Sequence, residues 1–101
     1  MMDYSDSFIL GGNSALTVKN IIVQGAQEIA LEVINDGESN NIGVSVYKSK
    51  DIEYSTTATG MLLQSYSCNV LEIPCSCHSL KLVFNNYDIY ESLISYRIWE
   101  E

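Results

Sequence analysis

Four stretches of this chain place apolar residues at every second position: Ile29, Leu31 and Val33; Ile42, Val44 and Val46; Leu80, Leu82 and Phe84; and Ile94, Tyr96 and Ile98. Successive side chains of an extended strand point to opposite faces, so each row sends one face into a core and the other toward water or a partner. The chain is therefore expected to be all-β, a single antiparallel β-sandwich of Ig-like or jelly-roll-like kind with about seven or eight strands.

Turn signals divide the rest. Residues 7–10 are a short apolar run closed by Gly11-Gly12-Asn13, so residues 1–12 are expected to form an N-terminal arm and 13–101 the sandwich. Residues 16–23 are rich in β-branched side chains, and consecutive Ile21-Ile22-Val23 implies apolar contact on both faces. After the strand at 28–34, Asn35-Asp36-Gly37 tolerates positive φ and reads as a hairpin loop before a strand at 42–48. A further turn at Ser49-Lys50-Asp51 leads into residues 52–54. Residues 61–67 and 70–73 read as two short strands, or one broken near Cys68-Asn69. Pro74 lacks a backbone donor and belongs at a strand end or sheet edge. Residues 80–84 and 92–99 complete the set, with Asn85-Asn86-Tyr87-Asp88 as the turn between them. No internal repeat or linker marks a second domain.

A chain of 101 residues buries roughly two-thirds of the surface it exposes when unfolded, so size alone calls for no disulfide or metal. Five basic residues against thirteen acidic ones give a formal charge of −8, a field that repels phosphate backbones and anionic lipid; neither nucleic acid nor membrane is expected as a partner. Charged residues make up 18% of the chain, below the roughly 25% usual for soluble domains, so part of the uncharged surface is expected to be covered by a partner. Met1-Met2-Asp3-Tyr4-Ser5-Asp6 has neither the basic start nor the apolar stretch of a signal peptide, and the odd count of three cysteines does not suit a disulfide framework; synthesis and residence in the cytoplasm are expected.

Three constellations could carry chemistry. Cys68, Cys75, Cys77 and His78 offer four zinc-type ligands within eleven residues. In an extended chain, however, Cys75 and Cys77 share a face while His78 points to the other, and the spacing is not that of a zinc knuckle. No metal is expected there, and no Cys–His nucleophile pair, since the only histidine lies on the wrong face. Asp36, Glu38 and Asn40 offer oxygens of the type calcium takes, but they lack the order of an EF-hand loop and read as turn-forming, solvated residues. The aromatics Tyr47, Tyr54, Tyr66, Tyr87, Tyr90, Tyr96 and Trp99 could stack on sugars or anchor a protein interface. Of these Tyr47, Tyr54 and Trp99 are the expected partner-binding residues. Tyr47 and Trp99 fall on the face opposite their strand's apolar row, and with Val83 and Leu93 they imply a second apolar surface.

The run Val44-Ser45-Val46-Tyr47-Lys48-Ser49-Lys50-Asp51-Ile52-Glu53-Tyr54, a strand, a Ser-x-Asp turn and a strand bearing an aromatic, resembles a hairpin of Ig-like and discoidin-like β-sandwich modules, including those of phage particles and carbohydrate-binding proteins. The Ig-type pair of cysteines bracketing a core tryptophan is absent, because Trp99 follows all three cysteines. With no catalytic set, no cofactor motif and few charges, the domain is expected to bind rather than catalyse. The leading expectation is a structural or accessory subunit that contacts other protein subunits, its own copies included, in a larger assembly such as a phage-like virion. The second is a carbohydrate-binding module.

Overall fold

The structure, a computed structural model, describes residues 3–49, 54–55 and 59–101. Eight strands follow one another: β1 (Asp3–Leu10), β2 (Ala15–Ile22), β3 (Glu28–Asn35), β4 (Ile42–Ser49), β5 (Thr59–Leu63), β6 (Ser67–Pro74), β7 (Ser79–Asn86) and β8 (Ser92–Glu100). They form two antiparallel four-stranded sheets, one ordered β1-β8-β3-β6 and the other β2-β7-β4-β5. Every connection crosses from one sheet to the other except β4–β5. This is the two-sheet arrangement of a jelly roll.

The alternating rows become the two inner faces. Ile29, Leu31, Val33, Ile94 and Ile98 from one sheet meet Ile42, Val44, Val46, Leu80, Leu82 and Phe84 from the other, all at most 2% exposed. An aromatic cluster joins the layers: the Phe84 ring of β7 packs edge-on against Phe8 of β1 at 5.1 Å and lies 5.5 Å from Tyr96 of β8. Such pairs contribute about 0.5–1.5 kcal/mol beyond the area they bury. Lys48, opposite Leu80 in register, reaches from the inner side of β4 to donate its Nζ to the Pro74 carbonyl at 2.6 Å.

Several segments depart from the sequence reading. Residues 3–10, expected in an arm, are β1, paired with β8 along their whole length from Asp3 opposite Trp99 to Leu10 opposite Ser92. The loop after Asn35 is not a hairpin, because β3 and β4 lie in different sheets. The break expected near Cys68-Asn69 falls instead at residues 64–66, where the Ser67 hydroxyl donates to the Gln64 carbonyl and Tyr66 turns the chain with φ +50°. Asn85 and Asn86 belong to β7 rather than to the turn after it. Ile22 is 45% exposed between buried Ile21 and Val23; a bulge between Val18 and Ile21, with Asn20 at φ +62°, resets the alternation. Residues 52 and 53 of the expected strand at 52–54 lie outside the described residues.

Candidate binding site

The antiparallel pairings bring the β1–β2, β3–β4, β5–β6 and β7–β8 connections to one end of the sandwich, while Asp3 and Glu100 lie at the other. Asn35, Ser39, Asn86 and Ser92, all at most 2% exposed, hold that loop end together from within. The Asn35 amide donates to the Ser39 and Gln64 carbonyls at 2.8 and 2.9 Å, tying β3 to the β5–β6 turn. The Ser39 backbone N–H donates to Ser92 Oγ, and its hydroxyl donates to Asn86 Oδ1. Asn86 in turn donates Nδ2 to the carbonyls of Leu10 and Tyr90. All four connections thus share one buried hydrogen-bond network, in which a missing partner costs about 1–3 kcal/mol.

The outer layer repeats the pattern. Backbone N–H groups of Asn40 and Ile89 donate to the Asp88 carboxylate at 2.9 and 2.7 Å and hold its pKa below the ordinary 3.8. The N–H groups of Asp36, Tyr87 and Asn13 donate to the carbonyls of Leu93, Asn41 and Asp88. Two glycines permit this packing. A Cβ on Gly12 would overlap the Ile89 carbonyl, and one on Gly37 would lie 2.5 Å from Ser92 Oγ.

On this frame sits a cleft of about 360 Å³ lined by Tyr66, Tyr90, Ile9, Leu93 and the acidic residues Asp36, Glu38 and Glu91, with Gly37 and Ser92 at its base. Tyr66 is 68% exposed and Tyr90 51%, while Ile9 at 67% and Leu93 at 41% extend the apolar surface onto the outer face of the β1-β8-β3-β6 sheet. Tyr66 occupies left-handed backbone space, at φ +50°, unfavourable by about 1–2 kcal/mol for a residue with a Cβ. Its N–H donates to the Gly37 carbonyl at 3.2 Å, which holds the turn against the β3–β4 loop. Strain of this kind persists only where its surroundings fix it, and it concentrates at functional positions. Hollows of about 390 and 470 Å³ flank the same end, one beside Asn40 and Gln64 and one beneath Tyr87 against Gly43.

The residues singled out in sequence lie elsewhere. Tyr47 and Tyr54 come together on the β2-β7-β4-β5 sheet around the Lys81 ammonium, 4.6 and 5.1 Å from their ring centroids. The Tyr54 hydroxyl accepts from the Asn20 N–H and donates to Asn20 Oδ1, both at 3.1 Å, so it holds the β2 bulge. Trp99 lies on the opposite sheet beside Arg97, whose guanidinium is 5.0 Å from its ring and forms a two-bond pair with Asp3. The three expected residues thus form two separated clusters, each ring with a cation of its own chain beside it. The sequence reading puts Tyr66 inside a short strand at 61–67 and leaves Tyr90 between the turn at 85–88 and the strand at 92–99; the structure places both in connections, which the crossover topology brings together. Cys68 is exposed on β6, away from Cys75 and Cys77, whose sulfurs are 3.4 Å apart. Among the described residues no group of three or more His, Cys, Asp or Glu is placed to hold a metal ion.

No family model matches the chain, and no curated protein matches it. Similar solved structures exist. PirA superposes with a TM-score of 0.67 at 11% identity over 100% of this chain and 96% of its own. The pre-peptidase C-terminal domain of a Bacillus anthracis collagenase gives 0.63 at 13% identity, covering 97% of this chain and 90% of that one. A family 16 carbohydrate-binding module gives 0.54 at 10% identity, covering 93% and 76%. At these identities the likeness is one of fold, a β-sandwich shared by proteins of different activities.

Proposed function

We propose that this domain acts by binding, and that its loop end docks another protein subunit. One observation carries the reading: the exposed Tyr66, Tyr90, Ile9 and Leu93 share a cleft with Asp36, Glu38 and Glu91 on loops fixed by the buried network of Asn35, Ser39, Asn86 and Ser92. Rigid aromatic anchors beside aliphatic surface are the composition of an interface centre, and fixing them in advance lowers the ordering cost of association. The three carboxylates select a partner with lysines or arginines around an apolar centre. Two copies meeting loop end to loop end would oppose like charges, so a second copy would have to offer a different surface. A phage-like particle is one assembly in which such a subunit would serve.

Asp3 and Glu100 lie at the end opposite the cleft, so attachment beside these residues leaves the loop end free. Capture from the native source is expected to return a partner that elutes as salt is raised, since exposed charge pairs are screened. Recovery of nothing at low salt counts against the reading.

A carbohydrate ligand is the second reading. Two exposed tyrosine rings beside carboxylates can stack on a sugar and accept from its hydroxyls, and a carbohydrate-binding module shares the fold. A glycan array separates the two: sugar binding that is lost in Tyr66→Ala supports the second reading, and an empty array removes it.

A further inference from the structure

Away from the loop end, the β6–β7 connection brings two thiols together. Cys75 Sγ and Cys77 Sγ are 3.4 Å apart, with Cys75 5% exposed and Cys77 half-buried. Backbone bonds fix the segment on both sides. The Cys75 N–H donates to the Gln27 carbonyl at 2.8 Å, the His78 N–H to the Ser49 carbonyl at 2.7 Å, and the His78 carbonyl accepts from Val23 N–H at 3.0 Å. Exposed Ser76 stands between the two cysteines, so the link has room to adjust while its anchors stay in place. Neighbouring thiols at a sheet-to-sheet crossing are a dithiol pair rather than two independent core residues.

We infer that Cys75 and Cys77 are a reversible thiol–disulfide modification site, oxidised by low-molecular-weight disulfides such as oxidised glutathione. Cys77, the more accessible sulfur, attacks the external disulfide as its thiolate and releases one thiol, leaving a mixed disulfide. Cys75 then attacks the Cys77 sulfur and releases the second thiol. In balance, two protein thiols and one disulfide give one protein disulfide and two small thiols, and the protein is oxidised by two electrons. The bond requires the sulfurs to close from 3.4 Å to about 2.05 Å. A small ring of this kind is strained, and strained disulfides are the readily reduced ones. Burial, and then the Cys75 thiol beside it, push the Cys77 pKa up to about 11, so oxidation is slow near neutrality and accelerates in alkali.

The experiment uses Cys68→Ser, which removes an exposed thiol and leaves only the pair. After excess oxidised glutathione with the pH raised to about 10, where the thiolate fraction is appreciable, intact mass with alkylation of the unfolded chain should show loss of two hydrogens, no alkylatable thiol and no retained glutathione, all reversed by dithiothreitol. Adding Cys75→Ser should trap glutathione on Cys77. The rate of oxidation should rise about tenfold per pH unit below the Cys77 pKa. Two thiols that still alkylate, or a glutathione adduct that persists with Cys75 present, overturn the inference.

Discussion

The Ser39 hydroxyl donates to Asn86 Oδ1 at 2.7 Å, with both side chains at most 2% exposed, and so binds the β3–β4 loop to the last residue of β7. Ser39→Ala removes that donor and leaves a buried acceptor weakened, which is expected to cost about 1–3 kcal/mol of stability. Asn35→Asp should cost about 3 kcal/mol or more, because a buried carboxylate would replace a group that donates to two carbonyls. Denaturant unfolding measures both. Equal, negligible losses would mean that the network does not hold the loops.

Gly37→Ala tests the close approach of the same loop to β8. The added methyl meets Ser92 Cα and Oγ at 2.5 Å, and Ser92 Oγ accepts from the Ser39 N–H. Displacement of Ser92 should destabilise the protein by about 1–3 kcal/mol. Amide hydrogen exchange should show faster exchange at Ser39 and Tyr66, with the core of β7 unchanged.

Tyr66→Gly separates stability from binding. Glycine relieves the left-handed backbone at Tyr66 but adds chain entropy to the unfolded state, so stability should stay level or rise by up to about 1 kcal/mol. Binding at the loop end should fall, since the exposed ring is lost. A clear loss of stability would assign the ring a packing role instead.

Alkaline pH should weaken the fold through Cys77. Its folded pKa is raised from 9.0 to about 11 by burial first and by Cys75 second. The unfolded chain therefore loses its proton first as pH rises. The stability from this group is fully present below about pH 9, falls through the interval and is lost at about pH 11. Urea midpoints across that range should fall for the native protein and fall less for Cys77→Ser.

The fold was legible in the sequence where side chains alternate without interruption. β3, β4, β7 and β8 follow Ile29 to Val33, Ile42 to Val46, Leu80 to Phe84 and Ile94 to Ile98, because period-two rows have only one way to bury. β1 was obscured because Ser5, Asp6 and Ser7 carry no apolar signal of their own; its place comes from eight pairings with β8, a long-range property. The site was hidden for a related reason. Position on a strand favoured Tyr47 and Trp99, whereas Tyr66 and Tyr90 gain their cleft from loops distant in sequence that Asn35 and Asn86 draw together.

The loop end as a docking surface is tested most directly by partner capture with matched variants. Tyr66→Ser with Leu93→Ser, both exposed in the cleft, should lose the captured partner with little change in unfolding midpoint. Tyr47→Ser and Trp99→Ala, on the two sheet faces, should retain it. A partner lost with Tyr47 or Trp99 but kept by the cleft variant would contradict the account.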